Sequence, residues 1–190
     1  MVHHYLPIMS IFTNPASRSR EEAKEYTAAV LGLVANQDPM TVLAATADKL
    51  RHVASSMDAR AIQAPEAPGK WSVTQVLAHL ADSEVVWAWR LRLILGQDRP
   101  TLTGYDQDAW ASNLDYASAD VGECLDRFTI LRNSHLRLLA GLTPAQKKRV
   151  GVHSERGEET VEHLVRLYAG HDVLHLNQID RIRKAVSRPR

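Results

Sequence analysis

Cysteine is all but missing from this chain: Cys124 is the only one in 190 residues. A single thiol excludes an intrachain disulfide and a cysteine-based zinc site. Its neighbours Val121, Leu125, Phe128 and Leu131 recur at helical intervals, so Cys124 reads as a small buried hydrophobe rather than a reactive group. Long apolar runs are absent as well, and none approaches the ~18 residues of a membrane span. Nor does one sign of charge dominate. The 23 Lys and Arg against 22 Asp and Glu leave +1, which gives no electrostatic reason to expect nucleic acid or an acidic membrane as partner. The basic group Arg181, Arg183, Lys184, Arg188 and Arg190 has no aromatic platform beside it. Cations there complement a helix C-terminus, which is the simpler account. The first ten residues lack both a cationic start and a sustained apolar stretch. They make a poor secretory signal, and a cytoplasmic location is the expectation that remains.

Internal repeats, low-complexity linkers and alternating strand patterns are also lacking. What remains is helical. The length fits one domain, residues 1–190, with a core large enough to fold without a disulfide or metal. Residues 1–18 carry Pro7, Asn14 and Pro15 and read as an extended arm. A short helix is expected from Ser19 to Leu33, and a clearer one from Pro39 to about Met57, where Leu43, Ala47, Leu50 and Val53 mark a buried face. Ser72 and Gln75 have the spacing of a capping box, with Trp71 and Val76 as the hydrophobic staple. The helix they open runs to about Leu95, with Val73, Val76, Leu80, Trp87, Leu91 and Ile94 inward. Asp106 to Ser112 forms one or two turns, and a third long helix spans about Ser118 to Leu139. Thr143-Pro144 restarts a short turn, and Val150 to Gly157 reads as a loop or small hairpin. The last helix runs from about Thr160 to Ala185. Together these give an all-α four-helix bundle, residues 38–186, with short additional helices.

Two inward positions of the last helix are histidines. His171 and His175 stand four residues apart, so both imidazoles share one face, one turn apart, where a single ion can take both. His79 lies at the edge of the inward stripe of the second long helix. One histidine on an apolar stripe is usually a hydrogen-bonded core residue, because burying it unsatisfied is costly. A pair at this spacing with a third on a neighbouring helix favours a metal, since facing helices commonly build such sites. Three neutral ligands would leave coordination positions open, which suggests reactivity. His171-Asp-Val-Leu-His175 also resembles the metalloprotease His-Glu-x-x-His, in which Glu is the general base. Asp172 is one methylene shorter, and only fifteen residues follow His175, so the protease reading is disfavoured. His52, His135 and His163 lie on helices without a partner at ligand spacing, His3 and His4 fall in the arm and His153 in a loop segment, and all six read as structural.

The segment Gly69 to Glu84 around His79, the run Tyr105-Asp-Gln-Asp-Ala-Trp110, and Leu167 to His175 through Gln178-Ile179 resemble the DinB/YfiT family. The resemblance covers about residues 38–184. It implies a bundle of up-down-down-up connectivity, often a homodimer, with a divalent zinc or nickel ion held by three histidines. By position these are His79, His171 and His175. Spacing alone does not name the metal, since imidazole also suits copper and iron.

Three neutral imidazoles leave the ion's charge in place, so it can lower the pKa of water toward ~7 or hold a thiol as thiolate. The chain offers no nucleophilic thiol of its own. Some members of the resembled family transfer low-molecular-weight thiols, which makes a thiol S-transferase acting on small electrophiles the leading expectation. A metal-dependent hydrolase of small esters or amides follows it, and then a non-catalytic metal- or ligand-binding bundle. Asp82, three residues from His79, and Gln178, three from His175, are placed to support the ligands. Asp172 and Glu84 are expected on other faces, solvated or structural. Trp87, Trp110 and Tyr168 are candidates to line the pocket.

Overall fold

The computed structural model describes residues 20–187, so the expected arm, 1–18, lies outside the described residues. Four long helices form the body: α2 (Pro39–Ser55), α4 (Val73–Gly96), α6 (Val121–Ala140) and α8 (Val161–Val186). Shorter elements fill the connections. They are α1 (Arg20–Gly32), α3 (Ala59–Gln63), β1 (Thr101–Leu102), α5 (Gln107–Asn113), α7 (Pro144–Lys147), β2 (Val150–His153) and β3 (Gly157–Thr160).

Local chemistry sets the ends of these helices. Asp38 caps α2 through the Thr41 amide, with Pro39 at the first helical position. Ser72 and Gln75 form the expected capping box at 3.3 and 2.9 Å, and Thr160 caps α8. The third long helix starts later than its pattern indicates. Tyr116–Ser118 is a 3-10 turn entered through Asp115 at φ 48°, and Asp120 then accepts the Glu123 amide at 2.8 Å to open α6 at Val121. The short turn after Gly141 is α7, and the hairpin is real: β2 pairs antiparallel with β3. Parallel pairing of β1 with β2 makes it a three-stranded sheet.

Contacts fix the helix directions. Leu43 of α2 meets Arg132 while Arg51 meets Asp126, so α2 and α6 are antiparallel. Glu84 meets Arg132 and Trp87 meets His135, so α4 and α6 are parallel. His79 meets His171 while Trp87 stacks on Tyr168, so α4 and α8 are antiparallel. The order α2, α4, α6, α8 is therefore up-down-down-up. Parallel neighbours cannot be joined by a tight turn, and the connection from α4 to α6 accordingly carries β1, α5 and the 3-10 turn.

Two apolar clusters make up the core. One gathers Val76, Leu80, Phe128 and Ile179, and the other Leu43, Trp87, Leu91 and Leu164. Cys124 is buried in the first cluster, where burial pushes its thiol pKa up. A polar layer joins all four helices. Arg132, 1% exposed, pairs with Glu84 at 2.6 Å and Asp172 at 2.5 Å, and donates to the Leu43 carbonyl at 2.9 Å. His135 meets the other Glu84 oxygen at 2.9 Å. Glu84 and Asp172 are thus structural and not solvated, since each is the buried counter-ion of one arginine.

Candidate metal centre

The polar layer fixes the part of α8 that carries the histidines, because Asp172 directly follows His171. Gly170, on its other side, lets α1 approach closely: a Cβ there would lie 2.2 Å from the Val30 carbonyl oxygen. With α8 held in this way, His171 and His175 project toward His79 of α4. His171 Nε2 is 3.2 Å from His79 Nε2 and 3.1 Å from His175 Nε2. The three candidate ligand atoms all lie within 4.8 Å of one another. Tetrahedral ligands ~2.0–2.1 Å from a zinc ion would stand about 3.3 Å apart.

Hydrogen bonding alone does not satisfy this cluster. His175 Nδ1 lies 2.8 Å from Gln178 Oε1. Donation there leaves the His175 Nε2 lone pair facing inward. His171 Nε2 then carries one proton or one lone pair between two neighbours, and both contacts cannot be good hydrogen bonds. Three lone pairs converging on one cation would remove the conflict, so the donor set fits a divalent ion. Burial supplies the needed protonation state. It pushes His79 well below the usual histidine range, helped by the His175 imidazole. It does the same to His171, with His175, His79 and Arg132 adding to it. Burial takes His175 down to about 4, against the opposing Gln178 hydrogen bond. All three rings are neutral at pH 7.

The other expected site residues divide. Gln178 stands against His175 as its spacing indicated. Asp82 does not reach an imidazole: it accepts the Tyr116 hydroxyl at 2.8 Å and pairs with Arg127 at 3.1 Å. His79 Nδ1 is consequently buried without a partner. Trp110 packs on Tyr105, ring centroids 4.6 Å apart, and against the first core cluster. Trp87 is fully buried in the second cluster, stacked on Tyr168 at 4.5 Å. Tyr168 does line a pocket, and His171 is in the same wall.

That pocket brings together residues that spacing did not select. Ser83 and Arg90 come from α4, Tyr105 from the crossover, and His153 and Arg156 from the hairpin. Arg90 is 6% exposed and His153 2%. Burial, then Arg156 and Arg90, take His153 down to about 3, so its ring is neutral. One signal was available: Arg90 follows His79, Ser83 and Trp87 along a single α4 face, where a charge is out of place.

Comparison with known proteins agrees with this architecture. The chain is 33% identical over 132 residues to the protein named "Putative metal-dependent hydrolase YfiT" of Bacillus subtilis (strain 168), covering 69% of this chain and 74% of that one. A protein of Geobacillus thermodenitrificans (strain NG80-2) carrying the name "Putative metal-dependent hydrolase" is 28% identical over 178 residues, covering 91% and 90%. The solved structure of Bacillus subtilis YfiT, whose description gives it an unusual four-helix bundle topology, superposes with a TM-score of 0.72 at 27% identity, covering 88% of this chain and 89% of that one. The model of the DinB superfamily matches residues 43–179, a stretch that enters all four long helices and contains all three converging imidazoles. The chain belongs to the DinB superfamily.

Proposed function

We propose that this chain is a divalent-metal-dependent enzyme that activates a small nucleophile, with the ion held by His79, His171 and His175. The observation that carries the proposal is that three neutral Nε2 atoms converge while His171 also forms part of a pocket wall. An ion held there would leave positions open on the pocket side and act as a Lewis acid, lowering the pKa of water or of a thiol and polarising an electrophile. The chain's own residues have distinct tasks. Gln178 fixes the His175 tautomer, Asp172 anchors the ligand-bearing turn through Arg132, and Ser83, Tyr105 and Tyr168 shape the space beside His171.

Water is the nucleophile favoured by the names of the relatives, which makes hydrolysis of small ester or amide substrates the first reading. Transfer of a low-molecular-weight thiol to a small electrophile is the second. The buried Cys124 cannot serve as nucleophile, so the thiol would arrive as cosubstrate. Zinc or nickel as the ion and a homodimer as the assembly belong to the same proposal.

The test uses protein reloaded with zinc or nickel and analysed by mass spectrometry. One arm supplies esters and amides, and the other a thiol with a model electrophile. Cleavage lost in His171→Ala supports the hydrolase, and conjugation lost in that variant supports the transferase. Neither reaction in a fully loaded protein overturns both.

A further inference from the structure

Around His153, in the pocket beside His171, hydrogen-bond donors outnumber acceptors. His153 Nδ1 faces the backbone N–H groups of Glu155 and Arg156 at 3.2 and 3.4 Å. His153 Nε2 faces Arg90 Nη2 at 3.2 Å. A neutral imidazole has one lone pair to offer these three donors, and its own N–H adds a fourth, whichever nitrogen carries the proton. Arg90 compounds the excess. Its Nη2 donates to the Thr103 carbonyl at 2.7 Å, but its buried Nε has no partner.

Charge points the same way. Arg156, in the same wall, is neutralised by Glu159 through a two-pronged contact at 2.5 and 2.9 Å. Among the described residues Arg90 makes no ion pair: its guanidinium meets the Thr103 carbonyl and His153, and its Nε meets nothing. A cation 94% removed from solvent with no opposite charge is costly unless something else supplies one. The fully buried Arg132 and the partly buried Arg156 both have carboxylate partners.

We infer that Arg90 and His153 form a subsite for a carboxylate group on the substrate, which holds the rest of the molecule beside His171. This rests on the proposed function, because it names the substrate class of that same pocket. A monoanion is favoured over a dianion because one uncompensated cation is present and the Glu155 side chain lies in the same wall. The pocket holds about 80 Å³, room for several waters or one carboxylate-sized group with a short carbon stem. The ring of Tyr168 and the side chain of Leu167 give that stem an apolar wall.

Benzoate, its neutral isostere benzamide, and inorganic phosphate serve as probes, titrated calorimetrically into metal-free and zinc-loaded protein. The expected result is that benzoate binds both forms, at least tenfold more tightly than benzamide or phosphate. Arg90→Gln loses that binding at least tenfold while its zinc content stays that of the wild type. Arg90→Lys, which keeps the charge but not the planar fork, recovers part of it and guards against a misfolded Gln variant. Equal binding of benzoate and benzamide overturns the inference. So does tighter binding of phosphate, or benzoate binding that needs zinc and survives Arg90→Gln, since the ion itself would then be the anion site. The metal-free titration reads the subsite even if the reloaded enzyme shows no turnover, so failure here is distinct from failure of the proposed reaction.

Discussion

Arg132 Nη1 lies 2.5 Å from Asp172 Oδ2, and both side chains are 1% exposed. The same guanidinium holds Glu84 at 2.6 Å, and burial raises the Asp172 pKa against the pull of Arg132. Arg132→Met removes the cation and leaves two carboxylates in the core, which costs roughly 3–5 kcal/mol. Thermal unfolding should show Tm lowered by roughly 10 °C. Adding Glu84→Gln and Asp172→Asn should restore part of the loss. An unchanged Tm in the single variant would mean the layer contributes nothing.

Gln178 and Asp82 each stand three residues from a candidate ligand, yet only Gln178 touches an imidazole. Gln178→Ala should lower zinc affinity about 10–100-fold, as loss of a ligand's supporting hydrogen bond does. Asp82→Asn should leave affinity within about twofold of wild type, because its partners are Tyr116 and Arg127 and not the metal centre. Competition with a chromophoric chelator measures both, and a reversed order would contradict the geometry.

His153 is neutral in the folded chain, with its pKa held at about 3 against the usual 6.5. In the unfolded chain the ring takes up a proton as pH falls through 6.5. The stability from keeping it neutral is thus complete above that pH and is lost progressively toward pH 3. The His153→Gln variant lacks this contribution, so its Tm should fall less between pH 7 and pH 4.5 than that of the wild type. Parallel curves for the two proteins would show that the ring does not resist protonation.

A Cβ on Gly170 would meet the backbone carbonyl of Val30, oxygen and carbon, as well as its Cγ1 methyl. Gly170→Ala forces α1 away from α8, at an expected cost of about 1–3 kcal/mol. Hydrogen exchange should rise in α1 before it rises in α4 or α6. Uniform protection across all helices would mean that the contact is readily relieved.

Much of the fold was legible because local chemistry and periodicity agreed. Ser72 with Gln75 opens α4 where the capping pattern put it, and Thr160 opens α8. The start of α6 falls at Val121, beyond the Ser118 that the apolar pattern indicates, because Asp115 adopts a left-handed backbone and the chain makes a 3-10 turn first. The parallel pairing of Thr101–Leu102 with Val152–His153 joins segments about fifty residues apart, and no short-range pattern reports it. The candidate site divides along the same line. His171 and His175 share a helix face, so their convergence follows from spacing. The burial of Arg132 and Glu84 depends on partners from other helices, and that of Arg90 on the hairpin and the connection after β1, whereas a charged residue read by itself is assigned to solvent.

The imidazoles are carried by α4 and α8, whereas His153 and Arg156 come from the hairpin and Tyr105 from the crossover. On the proposed function, the ion depends on the two helices alone, whereas the substrate wall is shared between those helices, through Arg90 and Tyr168, and these two connections. On that reading, exchanging Ser154–Arg156 or Gly104–Asp106 would reshape one side of the substrate pocket while the three histidines keep their places on α4 and α8.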